Sequence, residues 1–283
     1  MISSTDSTGG QKASEDTPRW ALSDYENFLP SEVQESIWAD QFLLFVEKLS
    51  VSFDGFKAVD IPCFGIKHGE LRVIIGPNGA GKTTFCDLVS GKTRPSTGQV
   101  HYDGQNITQR DESDIALMGI GRKFQTPTVF DSLTTYENLL LALPGNQSWR
   151  KNLFSKETEE EKAEIERVLQ KVHLWEHRDL TAKSLSHGKR QWLAISALLI
   201  SKPKLLLVDE PAAGLTDVET EQTADLLLEL GKDHTLVVIE HDMDFVRRLG
   251  QKVTVLNEGK VLAEGSLEEM ERNEEVMEAY LGR

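Results

Sequence analysis

The stretch 76–84, GPNGAGKTT, fits the spacing G-x-x-x-x-G-K-[ST] at Gly76, Gly81, Lys82 and Thr83. Glycines at these positions let successive backbone N–H groups converge on phosphate oxygens, and a following helix presents its positive end to the same anion. Gly76, Pro77, Asn78, Gly79, Ala80, Gly81, Lys82, Thr83 and Thr84 therefore read as one phosphate cradle. Lys82 is expected to bridge β- and γ-phosphates, and the Thr83 hydroxyl to ligate Mg²⁺. A second chemical element is LLLVDE, an apolar run that ends in Asp209 and Glu210. Asp209 suits the Mg²⁺ shell, and Glu210 suits polarising an attacking water. Separately each element is weak evidence. Together they point to hydrolysis at a nucleotide phosphate.

Such residues need strands to carry them. Short runs rich in Val, Ile and Leu predict strands at 43–53, 71–76, 99–104, 204–210, 234–240, 252–259 and 260–265, alternating with helical stretches. That is the pattern of an α/β domain with a largely parallel sheet, whose ligands bind beyond the carboxyl ends of the strands. The cradle follows the predicted strand 71–76, and the two acids end the predicted strand 204–210, so both fall at that edge. A segment at about 111–190 interrupts the series with mostly helical signals. Within it, Ile165, Val168, Leu169 and Val172 recur at i, i+3, i+4 and i+7, which predicts an amphipathic helix with an acidic, solvated face.

Residues 1–17 are rich in Ser, Thr and Gly, lack the basic start and apolar core of a signal peptide, and read as a disordered tail. Trp20, Tyr25, Phe28 and Trp38 suggest a short docking element after it. The expected organisation is an N-terminal extension, 1–40, and one domain, 41–283. Across 283 residues, 31 basic side chains face 46 acidic ones, a formal charge of −15 that argues against nucleic acid as a partner. Cys63 and Cys86 cannot make a disulfide framework and suit a reducing compartment. The longest apolar runs, 193–200 and 205–208, are far shorter than the ~20 residues of a membrane helix. No internal repeat is visible.

The order of motifs carries a resemblance. After the cradle come GRKFQTP with Gln125, LSHGKRQ at 185–191, LLLVDE, and then VVIEHD with His241. This order, over residues 42 to 283, resembles the ATP-binding subunits of ABC transporters. The resemblance implies a P-loop ATP-binding cassette with a RecA-like core, an antiparallel β subdomain and a helical subdomain. It also implies that two subunits meet head to tail and trap ATP between one phosphate loop and the other's signature motif. Ser186 and Gly188 of that motif would then bind the partner's γ-phosphate through a helix N-terminus, with Ser186 as its cap. His241 would contact the γ-phosphate, Gln125 would reach the metal and couple it to a membrane partner, and Phe53 would lie under adenine, with Phe56 as the competing ring. Expected site residues are thus Lys82, Gln125, Glu210 and His241 for catalysis, and Thr83, Gln125 and Asp209 for the metal.

Two departures from the family pattern stand out. His187 and Lys189 replace a glycine and the glutamine of the usual LSGGQ, and Thr216 stands where an aspartate is common. Finer features, in 119–143, in EPAAGLT and in the ending EEVMEAYLGR, look like the branched-chain amino acid importer group. LSHGKRQWL and VSFDGFKAV look closest to the urea importers within it, so urea or short-chain amides are the expected solutes. The implied partners are a second, different ABC ATPase subunit, or alternatively a second copy, and two transmembrane permease subunits at the inner face of a bacterial plasma membrane. A branched-chain amino acid importer, a lipopolysaccharide-type exporter and a soluble ABC regulatory ATPase are the alternatives.

Overall fold

The computed structural model describes residues 41–123, 129–144 and 157–281. The extension 1–40 and Gln125 lie outside the described residues.

Strand β1 (Phe42–Phe53) turns into β2 (Phe56–Lys67) through Asp54 and Gly55, both at positive φ (49° and 84°). A two-residue Asp-Gly loop with both residues left-handed matches the right-handed twist of its flanking strands. Phe53 pairs with Phe56 across this turn. With β4 (Thr97–Tyr102) and β5 (Gln105–Asn106) they form an antiparallel sheet in the order β2-β1-β4-β5. Sequence patterning misses β2 because Asp60, Pro62 and Gly65 interrupt its apolar run. Pro62 is tolerated there because β2 is an edge strand.

The second sheet has six strands in the order β10-β9-β3-β8-β7-β6: β3 (Leu71–Ile75), β6 (Ile120–Lys123), β7 (Leu205–Asp209), β8 (Thr235–Ile239), β9 (Lys252–Asn257) and β10 (Lys260–Gly265). Strands β9, β3, β8, β7 and β6 pair in parallel, and β10 closes antiparallel on β9. Side-chain alternation serves two cores at once. Leu206, Val208, Leu236, Val238, Val73 and Ile75 face a core shared with the helices, whereas Leu205, Leu207, Val237, Ile239 and Ile74 face one shared with the antiparallel sheet. Burial on both faces explains why these strands read as continuous apolar runs.

Strand β6 is an exception within 111–190, whose other described elements are helices. Its residues sit at the edge of the central sheet, where Ile120, Gly121, Arg122 and Lys123 pair with 205–208. Glycine and two charges hide it from a hydrophobic pattern. Arg122 is nevertheless buried, its Nη1 paired with Asp87 and the Ser90 hydroxyl on a neighbouring helix at 2.5 and 2.9 Å. Strand β4 ends two residues earlier than expected, at Tyr102, where Asp103 and Gly104 turn at positive φ.

The helices are α1 (Lys82–Val89), α2 (Glu112–Met118), α3 (Thr135–Ala142), α4 (Glu159–Lys171), α5 (His187–Leu199), α6 (Asp217–Leu230), α7 (Met243–Leu249), α8 (Leu267–Arg272) and α9 (Glu274–Leu281). The amphipathic reading of α4 holds: Ile165, Val168 and Leu169 are buried, and a capping box between Thr158 and Glu161 starts the helix. No helix among the described residues is long and apolar enough to cross a membrane.

Candidate functional site

The cradle 76–81 links β3 to α1, and two glycines in it are required by close approach. A Cβ on Gly76 would lie 2.2 Å from the Leu256 carbonyl oxygen, and one on Gly81 would lie 2.5 Å from that of Ala58. Gly81 also sits at φ +98°, where any other residue is strained. These contacts wedge the loop between β2 and β9, and the Gly259 N–H donating to Ala80 O at 3.0 Å closes the wedge. Helix α1 has no side-chain cap. Its first-turn N–H groups are therefore free to meet an anion. Asn78 and Gly79 at the tip are exposed, as is Thr83, while Ala80 is buried.

Lys82 is buried and donates to the carbonyls of Gly76 and Pro77 at 2.7 and 3.1 Å. Burial lowers its pKa, opposed by Glu210, Asp209 and Glu240. The ammonium is thus held over the loop by its own backbone, with acids across from it. Tyr280 of α9 and Ile75 line one apolar cavity, and the Tyr280 hydroxyl is buried. Burial pushes that phenol up to about 12, and the facing Gly76 backbone opposes the push. Sequence reading missed Tyr280 because the C-terminal helix lies far from the cradle along the chain.

Strands β3, β8 and β7 are neighbours, and their carboxyl ends are in register: Ile74 pairs with Ile239, and Asp209 pairs with Ile239 on the other side. This register places the cradle, Asp209–Glu210 and His241 along one edge. Asp209 is buried with Oδ1 lacking a hydrogen-bond partner, and Arg122 Nη2 is 3.9 Å from Oδ2. Burial raises its pKa, with Arg122 pulling the other way. Such a carboxylate suits a cation that it reaches directly or through water. No cluster of three His, Cys, Asp or Glu side chains able to hold a metal occurs among the described residues. These oxygen donors fit a hard cation: the Thr83 hydroxyl and Asp209 would hold Mg²⁺, which would neutralise phosphate charge.

Glu210 follows β7 at φ +46°, a conformation rare outside glycine and asparagine and held here by its N–H donating to Ile239 O at 2.9 Å. Its Oε1 lies 3.8 Å from His241 Nδ1, and the His241 ring is more than half exposed. Between them works a residue the sequence reading overlooked. Glu240 is 1% exposed; one oxygen accepts the Ala212 N–H at 2.8 Å, and the other accepts the N–H groups of His241 and Asp242 at 2.9 and 3.3 Å. An acid just before the expected histidine was its only signal. Lys123 adds a buried amine that donates to the Asp209 carbonyl at 3.3 Å, and burial pushes it down to about 8 despite Asp209, Glu240 and Glu210.

Ser186 caps α5, its hydroxyl accepting the Lys189 N–H at 3.4 Å. Among the described contacts, Ser186 and Gly188 meet α6 and not the cradle. The Gly188 N–H donates to Glu219 Oε1 at 3.3 Å, and Glu219 Oε2 accepts from the Thr216 N–H and hydroxyl at 3.2 and 3.0 Å. Hydrogen bonds from the Ser186 hydroxyl and the Thr216 backbone lead in holding the Glu219 carboxyl below the usual range. The two unusual signature residues turn inward. His187 Nε2 is 3.2 Å from the Ala213 carbonyl oxygen, and Lys189 Nζ is 2.7 Å from His177 Nε2. Thr216 is the N-cap of α6, in a capping box with Glu219. Phe53 and Phe56 are both exposed at the hairpin tip, near Ala58 where β2 touches Gly81.

A nucleotide-phosphate loop, an acidic strand end and a capped signature helix on this topology define an ATP-binding cassette. The family model for ABC transporters matches residues 60–213, and the chain belongs to that family, as an ATPase. Its sequence is similar to the LivG type within it. A model described as branched-chain amino acid ATP-binding cassette transporter matches residues 260–283. The high-affinity branched-chain amino acid transport ATP-binding protein LivG of Escherichia coli is 35% identical over 253 residues, 86% of this chain and 98% of that protein. The solved ADP conformation of MJ1267, an ATP-binding cassette of an ABC transporter, superposes with TM-score 0.75 at 30% identity, covering 86% of this chain and 99% of that one. The dimeric structure of MJ0796, a bacterial ABC transporter cassette, gives 0.68 at 25% identity, covering 79% of this chain and 98% of that one.

Proposed function

We propose that this chain hydrolyses ATP to power an importer, as one of two ATPase subunits beneath two permease subunits on the inner face of a bacterial plasma membrane. The observation that carries the site is the register of β3, β8 and β7, which sets the cradle, Asp209, Glu210 and His241 on one edge. In this reading 76–84 binds the phosphates, with Lys82 as the charge-assisted contact. Thr83 and Asp209 hold Mg²⁺, which neutralises phosphate charge when bound. Glu210 polarises the attacking water, and His241, held by Glu240, meets the γ-phosphate. Gln125 senses the metal, and Phe53 or Phe56 stacks on adenine. The Ser186 and Gly188 donors complete the site of the partner subunit, and a solved relative of this family is dimeric.

For the solute, the LivG-type relatives support branched-chain amino acids ahead of the urea that LSHGKRQWL and VSFDGFKAV suggest. Transport into vesicles carrying the complete transporter decides it, with leucine, isoleucine, valine, urea and acetamide compared. Leucine uptake driven by ATP and abolished by Glu210→Gln is the expected result. Urea uptake without leucine uptake would reverse the solute assignment, and uptake that survives Glu210→Gln would remove Glu210 from its role.

A further inference from the structure

Two donors at the start of α5, the Ser186 hydroxyl and the Gly188 N–H, are those the proposed reaction directs at a partner's γ-phosphate. In the single subunit the Gly188 N–H donates to an internal acceptor, Glu219 Oε1, at 3.3 Å, while the neighbouring Ser186 hydroxyl caps its own helix. The fit is close: a Cβ on Gly188 would lie 2.9 Å from Glu219 Oε1 and 3.0 Å from its carboxyl carbon. Glu219 is also the N3 residue of the α6 capping box, so its position is set by Thr216. Ser186 is exposed, and Gly188 is buried beneath the half-buried Glu219, so Glu219 stands between this donor and the surface.

We propose that Glu219 is a positioning residue that serves as an internal stand-in for the γ-phosphate: it keeps the signature Gly188 N–H aligned in the free subunit, and it must release that donor for the site to close. The inference rests on the transport-ATPase reading above. One N–H cannot serve two anionic acceptors with full geometry, and a carboxylate beside an incoming phosphate repels it. Preformed donors and a competing charge therefore oppose each other at the same residue. The position of Thr216, where the family often carries aspartate, belongs to the same device, because Thr216 supplies the hydrogen bonds that hold Glu219 Oε2.

Glu219→Gln removes the charge yet keeps the capping box, since glutamine serves at N3 as glutamate does. The complete transporter carrying Glu219→Gln is expected to reach half-maximal ATPase rate at several-fold lower ATP concentration, with the maximal rate changed less. Glu219→Asp keeps the charge on a shorter stem and is expected to move the half-saturating concentration less than Glu219→Gln does. In the isolated full-length chain, hydrogen exchange at the Gly188 amide should quicken in Glu219→Gln while the denaturation midpoint stays near that of the parent. An unchanged or higher half-saturating ATP concentration in Glu219→Gln overturns the inference. Ser186→Arg, built in parallel, separates the two levels. If it leaves ATPase turnover of the folded transporter intact, the trans-site reading itself fails; if it stops turnover while Glu219→Gln changes nothing, only the role of Glu219 fails.

Discussion

The Glu240 carboxylate and the Ala212 N–H meet at 2.8 Å, and this one bond ties the loop after Glu210 to the loop that carries His241. Since the other carboxylate oxygen accepts the His241 and Asp242 amides, the acid sets where both reacting side chains start. Glu240→Ala leaves three backbone donors short of an acceptor, at about 1–3 kcal/mol for each that stays buried. A loss of at least about 2 kcal/mol in urea denaturation is expected, with ATPase rate falling further than ATP affinity. Equal loss of rate and affinity would make Glu240 structural only.

Lys82→Ala removes a charge-assisted contact worth about 1.5–3 kcal/mol, so ATP affinity by calorimetry should weaken roughly 10- to 100-fold. Of the two carbonyls it now faces, that of Gly76 is buried and that of Pro77 partly exposed, so a modest fall in stability is expected while the fold persists. Unchanged affinity would show that the loop amides suffice alone.

Gly81→Ala tests the wedge. The new Cβ meets the Ala58 carbonyl at 2.5 Å in a left-handed backbone conformation, which costs about 1–2 kcal/mol for the backbone alone. The thermal midpoint should fall and nucleotide binding weaken together. Gly79→Ala, with open space around it but φ +82°, should bear the backbone cost only and lower the midpoint less.

Lys123 gives a pH signature. Its folded pKa is about 8, against about 10.4 in the unfolded chain. Between these values the unfolded state binds the extra proton, so stability rises with pH across that window and is flat below it. Below pH 8 the native state carries the full penalty, on the order of 3 kcal/mol. Lys123→Met lacks this titration. The stability difference between Lys123→Met and the parent, read from urea denaturation at pH 7 to 10, should therefore move in the parent's favour as pH rises. A constant difference would place the amine in water.

Cys63 should be inert. Burial pushes its thiol up to about 11, and its thiolate fraction at neutral pH is correspondingly small. Native protein should resist alkylation at pH 8 over a time in which urea-unfolded protein reacts fully; fast native labelling would contradict the burial of β2.

What the sequence determined by itself was whatever chemistry or periodicity compresses into a short window. The cradle 76–84, the Asp209–Glu210 pair, the Ser186 cap, the amphipathic α4 and the doubly buried strands β3, β7 and β8 each rest on local spacing, and local spacing is printed in the chain. Strands β2 and β6 escaped because their glycines, proline and charges are tolerated only through position: Pro62 by lying on an edge, Arg122 by reaching Asp87 and Ser90. Tertiary structure alone decided which groups meet. It brought Glu240 under two loops, folded Tyr280 from the C-terminal helix toward Gly76, turned His187 and Lys189 inward, and set Glu219 against the Gly188 N–H. Each of these joins residues from separate elements, and a hydrogen bond between distant segments leaves no periodic trace in either of them. Packing of the central sheet, not proximity in the chain, chose those partners.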